Sequence, residues 1–168
     1  MAHIVRILCA ALLLCSNSYA LEPVRENTPG NPYLEVLVSD STRFIKEWIS
    51  TPLSHTPEIR RVNETRYNQK VYAGIVISDF GIDSSSNVDF VIGIDVIDPN
   101  GAVVLRNDAF AVHKGQVKGG SGVIMSNTVL DMMFGAGDPV GVYKINATLT
   151  DNIAKKRATG STSLTITP

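Results

Sequence analysis

Between Asn87 and Arg106 the chain reads N-V-D-F-V-I-G-I-D-V-I-D-P-N-G-A-V-V-L-R, and few folds accommodate such a segment. Phe90, Ile92, Ile94 and Val96 take every second position, while Asp89 and Asp95 share the other parity with Val91, Gly93 and Ile97. Successive side chains of a strand point to opposite faces, so this is a strand with one wholly apolar face and one mixed face. Asp98-Pro99-Asn100-Gly101 is a turn in which proline sets φ at an early corner and Asn-Gly tolerates positive φ. Ala102 to Leu105 then resumes the strand pattern. A lone hairpin is marginal in water, so this one requires partner strands and an opposing apolar layer.

The same periodicity recurs along the chain. Tyr143, Ile145, Ala147 and Leu149 alternate with Lys144, Asn146, Thr148 and Thr150, and Leu164 and Ile166 repeat the pattern near the end. Val71 to Ile77 is apolar on both parities, as a central strand covered on both faces would be, with Gly74 marking a bulge or a close approach. Tyr33 to Val38 and Asn107 to His113 are shorter strand candidates, the latter with Phe110 and Val112 on one parity. Glu58 to Arg66 is polar and charge-rich, suiting a solvated edge strand. Val123 to Phe134 reads as a strand followed by a bulge or short helical turn near Leu130 to Phe134.

One segment changes period. Phe44 with Trp48, and Ile45 with Ile49, are four apart, with Arg43, Lys46 and Glu47 on the other side. This predicts a short amphipathic helix, capped at Ser39 or Asp40 and ended by Ser50-Thr51-Pro52. A helix this short does not persist alone, so its apolar stripe docks on the sheets, with Trp48 as a plug over an edge or end. Turns rich in Asp, Asn, Gly and Pro separate seven or eight strands without a βα repeat, which predicts an antiparallel Greek-key or related β-sandwich.

Arg6, the apolar run Ile7 to Leu14 and the small residues Ser18 and Ala20 compose an export signal over residues 1–20, cleaved after Ala20. The run is shorter than the roughly 17 to 25 residues that span a bilayer. Leu-Leu-Leu-Cys ending at Cys15 offers a second processing route, a lipoprotein anchored there, although Leu14 is larger than that pattern wants. Residues 21–32 form a proline-rich leader, 33–57 the strand, helix and linker packed on the sandwich, and 58–168 the sandwich itself. The expected location is the periplasm or the exterior, with no transmembrane segment after cleavage. Both cysteines, Cys9 and Cys15, lie in the removed segment, so the core holds the domain without disulfides. The mature formal charge of about −2 argues against nucleic acid as a partner.

Two segments resemble immunoglobulin-like and macroglobulin-type domains of secreted bacterial proteins. Asp98-Pro99-Asn100-Gly101, with Asp98 and Gly101 as its structural residues, is similar to a hairpin common in such modules. Asp138-Pro139-Val140-Gly141-Val142-Tyr143 resembles the entry to their penultimate strand, which implies a tyrosine corner at Tyr143. Ile145 stands where disulfide-pinned members carry a cysteine. The resemblance implies an immunoglobulin-like sandwich that binds, spaces or assembles rather than catalyses.

Chemistry-bearing residues are sparse. The mature chain has His55 and His113 and no cysteine, against the three or four ligands that zinc wants. Met125, Met132 and Met133 read as core fillers rather than copper ligands. Asp79, Asp83 and Ser84 to Ser86, or Asp131 with Asp138, do not follow a calcium-loop pattern and read as turn residues. Ser121 in Gly119-Gly120-Ser121-Gly122 is not a nucleophile elbow, and the segment is not a phosphate-binding loop. No cofactor and no enzymatic activity are expected. Lys114, Lys118, Lys155, Lys156 and Arg157 form a basic rim if their two loops share one end. The leading expectation is an exported, non-enzymatic domain that binds a protein or envelope component through those loops or a sheet edge. The alternative is a periplasmic small-molecule or lipid-binding protein with a pocket at Phe44, Trp48 and Tyr72.

Overall fold

The structure is a computed structural model that describes residues 32–52, 55–117 and 122–168. The segment expected to be an export signal, Cys15, all but the end of the expected leader, and Lys118 lie outside the described residues. The elements are β1 (Tyr33–Ser39), α1 (Arg43–Ser50), β2 (Glu64–Arg66), β3 (Lys70–Ser78), β4 (Asn87–Ile97), β5 (Val103–Gln116), β6 (Val123–Met125), β7 (Leu130–Met133), β8 (Gly141–Asp151) and β9 (Lys156–Thr167). They form two sheets and one short helix, a mostly antiparallel, sandwich-like all-β fold.

The smaller sheet has β3 at its centre, β1 on one side, and β6 and β7 sharing the other side. The larger sheet runs β2-β9-β8-β4-β5. The four alternating positions of β4 are buried together, Phe90 and Ile92 completely, and so are Tyr143, Ile145, Ala147 and Leu149 of β8. Leu164 and Ile166 of β9 and Val71, Ala73, Ile75 and Ile77 of β3 complete one apolar interior. Burying each such side chain contributes about 1.5 to 3 kcal/mol, so this interior is the principal source of stability without a disulfide.

The Asp98 turn forms as its residues require. The carboxylate of Asp98 accepts the amides of Asn100 at 2.9 Å and Ala102 at 2.7 Å, and Gly101 has φ +85°. Proline at the corner also serves a neighbour: the Pro99 ring lies against Gly141, where an added Cβ would come within 3.0 Å of it.

Several expectations need correcting. The sandwich is not antiparallel throughout, because β2 pairs in parallel with β9, and β2 covers only Glu64–Arg66 of the anticipated edge strand. Nine strands form among the described residues, β6 and β7 being two short pieces along one edge of β3. Leu130 to Met133 is extended rather than helical: Met132 pairs with Val71, and Asp131 pairs with Lys70 at 3.0 Å on the exposed face. β5 carries two extra residues between Ala111 and Asn107, which sit opposite Ile92 and Ile94; Ala111, paired with the inward Ile92, is buried, and Val112 points outward. Gly93 lies under this bulge, with Asp108 backbone 3.3 Å from where its Cβ would be.

The helix begins at Arg43, with Thr42 rather than Ser39 or Asp40 at its N-cap position. It docks by one residue more than by a stripe: Phe44 is buried, whereas Ile49 is 78% exposed. Gly74 makes room for it, since a Cβ there would lie 2.9 Å from the Phe44 ring. Thr51 closes the helix, its amide and hydroxyl both donating to the Glu47 carbonyl at 3.0 and 2.7 Å, in the extended conformation that precedes proline.

Candidate functional site

Three surfaces can be built from these elements. The first is the end of the larger sheet where β4 begins, β5 finishes and the β8–β9 turn folds over. Asp89 is its centre: it accepts the Asn152 side-chain amide at 2.9 Å and pairs with Lys114 at 3.2 Å. Its carboxyl is held below the ordinary carboxylate range, first by the Asn152 hydrogen bond, then by Lys114, with Lys155 adding a weaker pull. Lys114 and Lys155 therefore share one end, and one carboxylate offsets both. Lys156 is exposed opposite Asp151 at the start of β9. Arg157 points elsewhere, to a hollow of about 200 Å³ on the outer face of the sheet beside Asp95, Asp108 and Asn146.

Beneath that end lies a buried carboxylate. Asp151 is 1% exposed, and its carboxylate accepts the amides of Gly81 at 2.6 Å and of Ile153 and Ala154 at 2.9 Å each. Three backbone donors satisfy a buried carboxylate and tie the loop after β3 to the β8–β9 turn. Gly81 is obligatory there, because a Cβ would lie 2.6 Å from the Ala154 nitrogen.

The second surface is the outer edge of β5. Among the described residues this strand of fourteen ends the larger sheet and is paired on one side only, to β4. Val103, Val104 and Val112 are about half exposed along it. The bulge divides its free edge into Val103 to Asn107 and Ala111 to Gln116. Each part is the length over which a single extended peptide adds to a sheet. On the inner face His113 stacks on Phe90, ring centres 4.8 Å apart, with its buried Nε2 lacking a hydrogen-bond partner. Burial pushes this imidazole below its ordinary value.

The third surface is a cleft of about 650 Å³ on the outer face of the smaller sheet. Trp48, Thr51, Pro52, Pro57 and Ile59 form its wall, and Glu35 of β1 and Val76 of β3 its floor. Arg61 reaches across to pair with Glu35. Of the three residues expected to line a pocket, only Trp48 does so. Phe44 is spent on Gly74, and Tyr72 sits further along β3 between Ser39 and Asp131.

At the corner before β8 the hydroxyl that reaches back to the main chain belongs to Tyr67, which donates to the Asp138 carbonyl at 2.7 Å. Tyr143 contributes its buried ring, 4.8 Å from that of Phe134. Desolvation, and then the charges of Asp138 and Asp98, raise its phenol above the ordinary value. Among the described residues no three His, Cys, Asp or Glu side chains gather where a metal ion could be held. Asp83 turns its carboxylate to its own loop, accepting the amides of Ser85 and Asn87 at 2.8 Å each. No helix among the described residues is long and apolar enough to cross a membrane.

No family model and no curated protein matches this sequence. Among solved structures, the chain is similar to the CARDB domain of the PF1109 protein from Pyrococcus furiosus, solved in complex with di-metal ions. The identity is 13%, over 87% of this chain and 97% of that one, with a TM-score of 0.44. It is also similar to a family 123 glycoside hydrolase from Clostridium perfringens, at 13% identity and a TM-score of 0.38. That likeness covers 80% of this chain and only 27% of the hydrolase.

Proposed function

We propose that the chain is an exported, non-enzymatic, immunoglobulin-like domain that binds a protein partner of the cell envelope by adding an extended segment to the edge of β5. The strand order supports the fold reading. The first, second and fifth-position strands (β1, β3 and β6/β7) make one sheet, and the third, sixth and seventh (β4, β8 and β9) the core of the other, as in immunoglobulin domains. The observation that carries the functional reading is the free edge of β5, long and partly apolar, in a fold whose other long edge is covered. On the opposite side β9 abuts β1 so closely that Gly160 has no room for a side chain against Leu34. Charges and a bulge at Asp108 keep the β5 edge from indiscriminate pairing and leave two short segments open.

The test is affinity purification of the mature chain from its native envelope, with wild type and Val112→Pro compared. Val112 is half exposed, and proline there removes an amide and stiffens the edge. The reading expects a partner retained by the wild type and lost from the variant, with β5 protected from amide exchange in the complex. A partner retained equally by both, or protection confined to another surface, contradicts it.

A further inference from the structure

The cleft beside Trp48 lies on the sheet opposite β5 and is independent of the partner reading. We infer that it is a binding site for a short neutral oligosaccharide. Its volume, about 650 Å³, is within the ordinary range for small-ligand sites. Its wall offers one indole, a flat apolar face against which the C–H face of a sugar ring can lie. Its floor carries a carboxylate and a guanidinium already joined to each other, Glu35 with Arg61. A hydroxyl both donates and accepts, so a polyhydroxylated ring can give hydrogen bonds to Glu35 and take them from Arg61 while the ion pair stays intact. Thr51 donates its hydroxyl to the Glu47 carbonyl at 2.7 Å and so presents its oxygen chiefly as an acceptor.

The same features disfavour other classes. A fatty chain laid along the floor would strip water from the Glu35–Arg61 pair without replacing its hydrogen bonds, which is costly. A charged ligand would find the opposite charge already compensated. Proline-rich peptides dock in grooves lined by several aromatic rings, and among the described residues Trp48 is the only tryptophan, phenylalanine or tyrosine lining this cleft.

Trp48 is the only tryptophan in the chain, so intrinsic emission reads this cleft directly. The full chain is titrated with maltotriose, cellotriose and the N-acetylglucosamine trimer, and in parallel with oleate and a polyproline peptide. The expected result is a saturable emission change with at least one trisaccharide and none with oleate or the peptide. Glu35→Gln and Arg61→Met should each weaken that binding roughly tenfold. Because the pair also anchors the linker, Val76→Phe is the second variant: it fills the floor beside Glu35 while both charges remain in the chain, and should abolish binding with thermal unfolding retained. Absence of saturation with every trisaccharide up to about 20 mM overturns the inference. So does saturation by oleate or the peptide instead, or undiminished binding by Val76→Phe.

Discussion

A Cβ added to Gly160 would lie 2.4 Å from the carbonyl oxygen of Leu34 and 2.7 Å from its Cδ2 methyl. At this point β9 of the larger sheet meets β1 of the smaller, and the two layers come together along one side. Backbone, not a flexible side chain, blocks the space, so neither strand can yield without opening the seam. Gly160→Ala is therefore expected to destabilise the domain by about 1 to 3 kcal/mol, the range for overpacking. Urea unfolding checks this, and a midpoint equal to wild type would show that the seam is looser than the geometry states.

Asp151 is expected to be the most sensitive polar position. Asp151→Ala leaves three amides without their acceptor, Gly81 in a buried setting, and should cost about 3 kcal/mol or more. Asp151→Asn keeps the shape but turns one acceptor into a donor, so it should fall between alanine and wild type. Thermal unfolding of the three proteins orders them.

Phe44 is expected to hold α1 in place. Truncating the ring in Phe44→Ala opens the contact with Gly74 and Leu37 and should cost about 3 kcal/mol. Because Trp48 is one turn further along the same helix, its emission should move to longer wavelength as the helix loosens. Ile49→Ser, at a position 78% exposed, should change neither stability nor emission.

His113 gives the fold a pH dependence of defined sign. Its imidazole is depressed below the ordinary value of 6.5 because burial disfavours the charged form. Above that value the group is neutral in folded and unfolded chains alike, and its contribution is fully present. As pH falls below it the unfolded chain takes up the proton first, so stability is lost until the folded-state value is passed. Chemical denaturation between pH 7 and 5 should show this decline, and His113→Phe should flatten it.

Much of the architecture is legible in the sequence because burial on one face writes itself as strict alternation. Phe90 to Val96, Tyr143 to Leu149 and Leu164 to Ile166 all point inward as their spacing demands. Gly74 likewise marks a close approach, that of the Phe44 ring. What the pattern hides is whatever depends on a partner strand or a single contact. Leu130 to Phe134 reads ambiguously because Met132 is buried while adjacent Met133 is 58% exposed, a difference only the pairing with β3 creates. The β5 bulge inserts two residues between Asn107 and Ala111 without altering composition. β2 is too short to show a period, and Asp151-Asn152 looks like any polar turn until three amides are seen converging on its carboxylate. For the candidate sites, the sequence indicates Trp48 and the two basic loops. It does not indicate the Glu35–Arg61 pair, whose members are 26 residues apart.

The open edge proposed for β5 is tested most directly by residue-resolved amide exchange on the chain from Leu21 onward, alone and bound to whatever protein co-purifies with it. The account predicts slow exchange throughout β4 and β8 in both states. In β5 it predicts fast exchange at the amides that do not face β4, slowing on binding within Val103 to Asn107 or Ala111 to Gln116. Outward β5 amides already slow in the free monomer, or unchanged in the complex while protection appears elsewhere, would contradict it.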